Sequence, residues 1–163
     1  MKTIITVSFF MLLLAPVSVF AGKPGDAAPA ISLADVHGDT VTLESLKGKV
    51  VLLNFWAPWC RSCKEELPDL DGLHKKYSSS GFTVLSVCME RSASAVSGHL
   101  QKRPVSFPVL VDKDGKVSEA YFFSGLPASF LIGKDGIIRY RHMGSGKELL
   151  KIYEQEITDL LNK

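Results

Sequence analysis

Cys60 and Cys63 stand three positions apart in the stretch FWAPWCRSC, Phe55 to Cys63, with Trp59 directly before the first. A pair at this spacing has three chemical uses: electron exchange with another disulfide, two ligand positions of a metal site, or a staple across one helical turn. A closed zinc site takes four ligands, yet there is no second cysteine pair. His37, His74, His99 and His142 are scattered at spacings that pair no two of them. A permanent staple here would constrain only a tiny loop, which adds little stability. Redox exchange is the best use of the pair. A copper-binding chaperone using both thiols is the alternative from a different class, and neither a resident metal nor a cofactor is expected.

The flanking elements explain why the two sulfurs would differ. VVLLNFW, Val50 to Trp56, is a continuous apolar run, the pattern of a strand buried on both faces. From Cys60 the period changes, and Leu67, Leu70, Leu73 and Tyr77 recur at helical spacing, with Pro68 expected to bend that helix. Cys60 would thus sit at a strand-to-helix junction, beside unsatisfied backbone N–H groups and the positive end of the helix dipole, which stabilise a thiolate. Cys63, one turn later, is near enough to displace a mixed disulfide. Trp56 and Trp59 would shield the pair and leave the first sulfur accessible.

Beyond this unit, FTVLSVC (Phe82 to Cys88) is a second buried strand, followed by a helix over Ala93 to Lys102 and then FPVLVD. Ile31–Leu33 and Thr40–Leu43 flank the turn DVHGD as a small hairpin. The turn KDG occurs twice, and the second joins SFLI to IIRYRHM. The last helix is expected to start at Ser145 with Glu148 closing a capping box, and to carry Leu149, Leu150, Ile152, Tyr153, Ile157 and Leu160 inward.

The 163 residues carry 19 Lys and Arg against 17 Asp and Glu, so nothing points to nucleic acid. Met1 to Ala21 reads as an export signal: one lysine, an apolar stretch from Ile4 to Phe20, then small residues before Gly22. An uncleaved membrane anchor is the alternative, since the run approaches the roughly 20 residues that span a bilayer. Without it the net charge falls from +2 to +1, because Lys2 is lost. Gly22 to Ala30 reads as a linker and 31–163 as one domain, large enough to form a core without disulfides. Export to a periplasmic or otherwise extracytoplasmic space permits disulfides.

VVLLNFWAPWCRSCKEELP closely resembles the signature of the extracytoplasmic thioredoxin-like oxidoreductases of the TlpA/ResA type. The likeness extends to APAISLADVHGDTVTLESLKGK, FPVLVDKDGKVSEAY and GLPASFLIGKDGIIRYRHMG, nearly the whole chain after the leader. It implies an α/β thioredoxin-like fold, a central mixed sheet flanked by helices, with an added N-terminal hairpin. It further implies Cys60 as the attacking cysteine, Cys63 as the resolving one, and Pro127 as a cis-proline facing them. Trp59, Leu126 and Pro127 would contact substrate, the Leu126 backbone pairing with an extended segment. The implied work is reduction of disulfides in exported proteins, apocytochrome c and copper-site proteins among them, by a monomer recharged by a membrane thiol donor.

Glu66 occupies the family's acidic position after the motif and shares a helical face with Cys63. A carboxylate kept partly from water has a raised pKa suited to taking the resolving thiol's proton. Asn54 stands where thioredoxin has a buried aspartate, so that acid is absent. Ser62 replaces a common proline, Leu126 a usual Thr or Val, and Arg61 places a positive charge near Cys60. Cys88, ending the second strand, is expected to be a buried small hydrophobe, with a third redox thiol as the alternative. Peroxiredoxins share the fold and are the second enzymatic reading, but their motif wants Thr or Ser where this chain has Ala57.

Overall fold

The computed structural model describes residues 22–163; the leader read over 1–21 lies outside the described residues. The two apolar runs form strands β3 (Val50–Trp56) and β4 (Phe82–Cys88), every residue of both being buried. They pair in parallel, as do β4 and β5 (Val109–Val111), through crossovers made by helices α1 (Arg61–Tyr77) and α2 (Ala93–Lys102). Strands β6 (Ala128–Ile132) and β7 (Ile138–Met143) add antiparallel on the other side of β3, giving the order β5-β4-β3-β6-β7. The hairpin β1 (Ser32–Ala34) and β2 (Thr40–Thr42) forms a separate two-stranded sheet. This is the mixed α/β architecture that the resemblance implied.

Strand alternation divides the core in two. Val50, Leu52 and Trp56 face α1, α2 and the last helix, α4 (Lys147–Leu161), together with Leu67, Leu70, Val96, Tyr153 and Ile157. Val51, Leu53 and Phe55 face the opposite side, covered by Ile31 and by a short helix α3 (Lys116–Tyr121) through Val117 and Tyr121. The segment 22–30, expected as a linker, lies against β7: the Gly25 N–H donates to the Ile138 carbonyl, Ala28 to Gly136, and the Ile138 N–H to Asp26. The Tyr121 hydroxyl donates to the Pro29 carbonyl at 2.9 Å. A Cβ on Gly22 would meet the Tyr121 carbonyl oxygen at 2.4 Å, so only glycine lets the chain pass there.

Three local readings change. Helix α4 begins at Lys147 after Gly146, with no side-chain cap, so the Ser145–Glu148 box does not form. Glu148 instead pairs with Lys151 at 2.9 Å, and Ile152 faces outward. Helix α3 was not anticipated. It is held by Asp112, a buried carboxylate that accepts from the Ser118 N–H at 2.8 Å and from the Ser118 hydroxyl at 2.6 Å.

Pro68 lies inside α1, which continues through it. Proline has no N–H to offer the carbonyl four residues earlier, that of Lys64. Arg103, the residue that caps α2, supplies the missing donor through Nη1 at 3.2 Å.

Candidate active site

Cys60 is the N-cap of α1, in extended backbone conformation, and Cys63 closes the first turn. The two are joined as a disulfide. The Cys63 N–H donates to Cys60 Sγ at 3.3 Å, and the Ser62 hydroxyl lies 3.5 Å from the same sulfur. Cys60 therefore takes the place of the usual capping oxygen, where an anionic sulfur is favoured by the free amides of the first turn. Cys60 is 8% exposed and Cys63 1%, so the first cysteine is the more accessible of the two.

The two tryptophans separate. Trp56 is fully buried beneath the motif, whereas Trp59 is 70% exposed beside a pair that is itself buried. The Arg61 side chain is 90% exposed and pairs with Glu65 at 3.0 Å, so its charge beside Cys60 is partly neutralised and screened. The Leu126–Pro127 bond is cis. The β3–β6 register sets Phe55 opposite Ala128, which puts buried Pro127 at the strand end that carries the motif. Leu126 packs against the core cluster containing both cysteines.

Glu66 falls in the buried stripe of α1 with Cys63, Leu67 and Leu70, and is only 6% exposed. Its Oε2 accepts from Asn54 Nδ2 at 3.2 Å and its Oε1 from the Tyr153 hydroxyl at 3.4 Å. Burial pushes this carboxyl up to about 7; the two donors resist that rise and Asp69 adds to it. A carboxyl poised there exchanges protons readily near neutral pH. Asn54 is thus no mere substitute for a missing acid. The acid sits on the helix, and the strand supplies its donor.

Asn54 belongs to a row of polar residues running across the sheet on the α1/α4 face. In register, Ser86 of β4 lies beside Asn54 of β3, Asn54 opposite Ser129 of β6, and Ser129 opposite His142 of β7. Asn54 Nδ2 also donates to Ser129 Oγ at 3.1 Å. His142 packs edge-on against the Tyr153 ring, centroids 5.3 Å apart, and its Nε2 lies 2.8 Å from Glu156 of α4. Neither Ser129 nor Tyr153 was anticipated as a site residue. A lone amide inside an otherwise apolar strand was the available signal for Asn54.

Cys88 is fully buried, opposite Trp56 in the β3–β4 register, and burial pushes its thiol up to about 12. It is an inert core residue at neutral pH. Among the described residues, no group of three or more His, Cys, Asp or Glu side chains is placed to hold a metal ion.

Residues 24–141 match the AhpC/TSA family. The chain is 37% identical over 135 residues to the thiol-disulfide oxidoreductase ResA of Bacillus cereus, covering 82% of this chain and 78% of that protein. The chain belongs to the AhpC/TSA family and, within it, is a ResA-like thiol-disulfide oxidoreductase. Its fold superposes on a thiol:disulfide interchange protein, DsbE, from Chlorobium tepidum with a TM-score of 0.83 and 32% identity, over 86% of this chain and 99% of that one. An exposed lipoprotein thioredoxin from Streptococcus pneumoniae superposes with a TM-score of 0.72 and 31% identity, over 81% and 100%. Exchange of protein disulfides through the Cys60–Cys63 pair is therefore this enzyme's activity.

Proposed function

We propose that this ResA-like enzyme reduces disulfides in exported proteins, with apocytochrome c among its substrates, and that each site residue has one task. The Cys60 thiolate attacks a substrate disulfide, whose S–S bond breaks as one substrate sulfur leaves as a thiolate and takes a proton from water. Cys63 then gives its proton to Glu66 and attacks the Cys60 sulfur of the mixed disulfide. The second substrate sulfur departs as a thiolate and is protonated by Glu66 or water, two electrons have passed to the substrate, and the protein holds the Cys60–Cys63 disulfide. A membrane thiol donor returns it to the dithiol. Trp59, Leu126 and Pro127 receive the substrate segment beside Cys60. One chain carries the whole set, which supports action as a monomer. The observation that carries the reading is a buried carboxyl poised near neutrality on the same helical face as a nearly inaccessible Cys63.

The reducing direction and the extracytoplasmic setting are supported by the likeness to TlpA/ResA-type proteins and by the leader-like residues 1–21. Among the described residues no helix is long and apolar enough to cross a membrane.

Membership of the AhpC/TSA family favours one second reading, peroxide reduction. Against it stands Ala57, a fully buried methyl group where a peroxidase would carry a hydroxyl. The test of both is direct. A Cys63→Ser variant should accumulate mixed disulfides with exported proteins through Cys60, apocytochrome c and the donor among them. Capture that persists without Cys60, or reduced wild-type protein consuming hydrogen peroxide much faster than an ordinary thiol, would remove the proposal.

A further inference from the structure

We propose that Tyr153, supported by Ser129, is a positioning residue of the exchange reaction: from α4 it holds the Glu66 carboxyl against the sheet and sets how tightly that carboxyl keeps its proton. The inference rests on the reading of Glu66 as the proton acceptor. Three elements converge on this carboxyl: α1 carries it, β3 supplies Asn54 to one oxygen, and α4 supplies Tyr153 to the other. With both oxygens held, the carboxyl plane is fixed between sheet and helix, and a side chain with three free torsions is left with one orientation.

Tyr153 suits this task because it is a permanent donor. It is fully buried and pushed well above the usual tyrosine range by that burial, so it keeps its proton throughout the pH range in which Glu66 titrates. Ser129 joins the two donors. It accepts from Asn54 at 3.1 Å, which orients the amide, and its side chain bears on the Tyr153 phenol. The charged and titratable groups around the cluster are Asp69 on α1, Glu156 on α4 and His142 on β7. His142 Nε2 lies 2.8 Å from Glu156, and its ring packs edge-on against Tyr153.

A hydrogen bond to a charged acceptor stabilises it more than one to a neutral group, so removing the phenol penalises the carboxylate. Tyr153→Phe keeps the ring and its packing on His142 while deleting the donor. In the oxidised protein, where neither motif cysteine titrates, carbon-13 NMR of the Glu66 carboxyl should show its midpoint moving up by about 1 on the pH scale. Ser129→Ala should move it the same way by less, and supplies the measurement should Tyr153→Phe fold poorly. In the reduced protein the pH profile of disulfide exchange should move alkaline by the same amount, with the rate at high pH retained. An unmoved Glu66 midpoint in both variants overturns the inference whatever the rates do. A moved midpoint with an unmoved rate profile shows Tyr153 holding the carboxyl but overturns both its part in the exchange reaction and Glu66 as the proton acceptor.

Discussion

Glu66 should make the protein less stable as pH rises, and replacing it should remove that loss. The folded carboxyl titrates near 7 against an ordinary value of 4.5, because burial disfavours its charged form. Between those values the folded state binds more protons than the unfolded chain, so stability is greatest below 4.5 and falls as pH rises through 7. A difference of this size, at about 1.4 kcal/mol per decade of proton affinity, corresponds to about 3 kcal/mol lost by pH 8.5. Glu66→Gln mimics the protonated acid and has no charge to bury. The assay is urea denaturation of oxidised wild type and variant from pH 4.5 to 8.5, read as the difference between them, so that contributions from Asp71 and His74 cancel. The two proteins should be nearly equal at the acid end, and the variant more stable by about 3 kcal/mol at the alkaline end. A difference independent of pH would refute the reasoning, because Glu66 would then titrate alike in both states.

In the reduced protein, Cys60 should be alkylated by iodoacetamide well before Cys63, and Cys88 only after unfolding; modification of Cys88 in the native state would show the core open. His74 Nδ1 accepts from the Val84 N–H at 3.2 Å, and burial holds its pKa below 6.5. Its contribution is therefore complete above pH 6.5 and is lost as pH falls through the folded value. His74→Gln, which can still accept that bond, should flatten the acid side of the stability curve relative to wild type; an identical slope would exclude His74 as the titrating group.

The strands were legible because β3 and β4 are mainly apolar runs without alternation, broken only by Asn54 in one and by Thr83 and Ser86 in the other, the pattern of a strand covered on both faces. The motif's position was legible for a related reason: the period changes from strand to helix at Cys60. Helix α3 escaped because its six residues are too few to display a period, and its start depends on Asp112, which reads as part of the preceding strand. The expected box at Ser145 failed because pattern alone does not fix which residue begins a helix. Glu66 could be placed on the face of Cys63 from spacing. Its surroundings could not, because they join residues 75 and 87 positions apart. Tyr153 counted toward an apolar stripe through its ring, and only the pairing of β3, β6 and α4 gives its hydroxyl a use.

The Lys64 carbonyl, answered by Arg103 rather than by Pro68, divides α1 into unequal parts. Ahead of the proline lies the turn that carries both cysteines, and behind it the longer remainder of the helix; Cys63 and Leu67 on one side and Leu70 and Leu73 on the other enter the same core. The turn that carries both cysteines therefore draws one of its closing bonds from a side chain of α2, 39 positions along the chain, and not from its own helix.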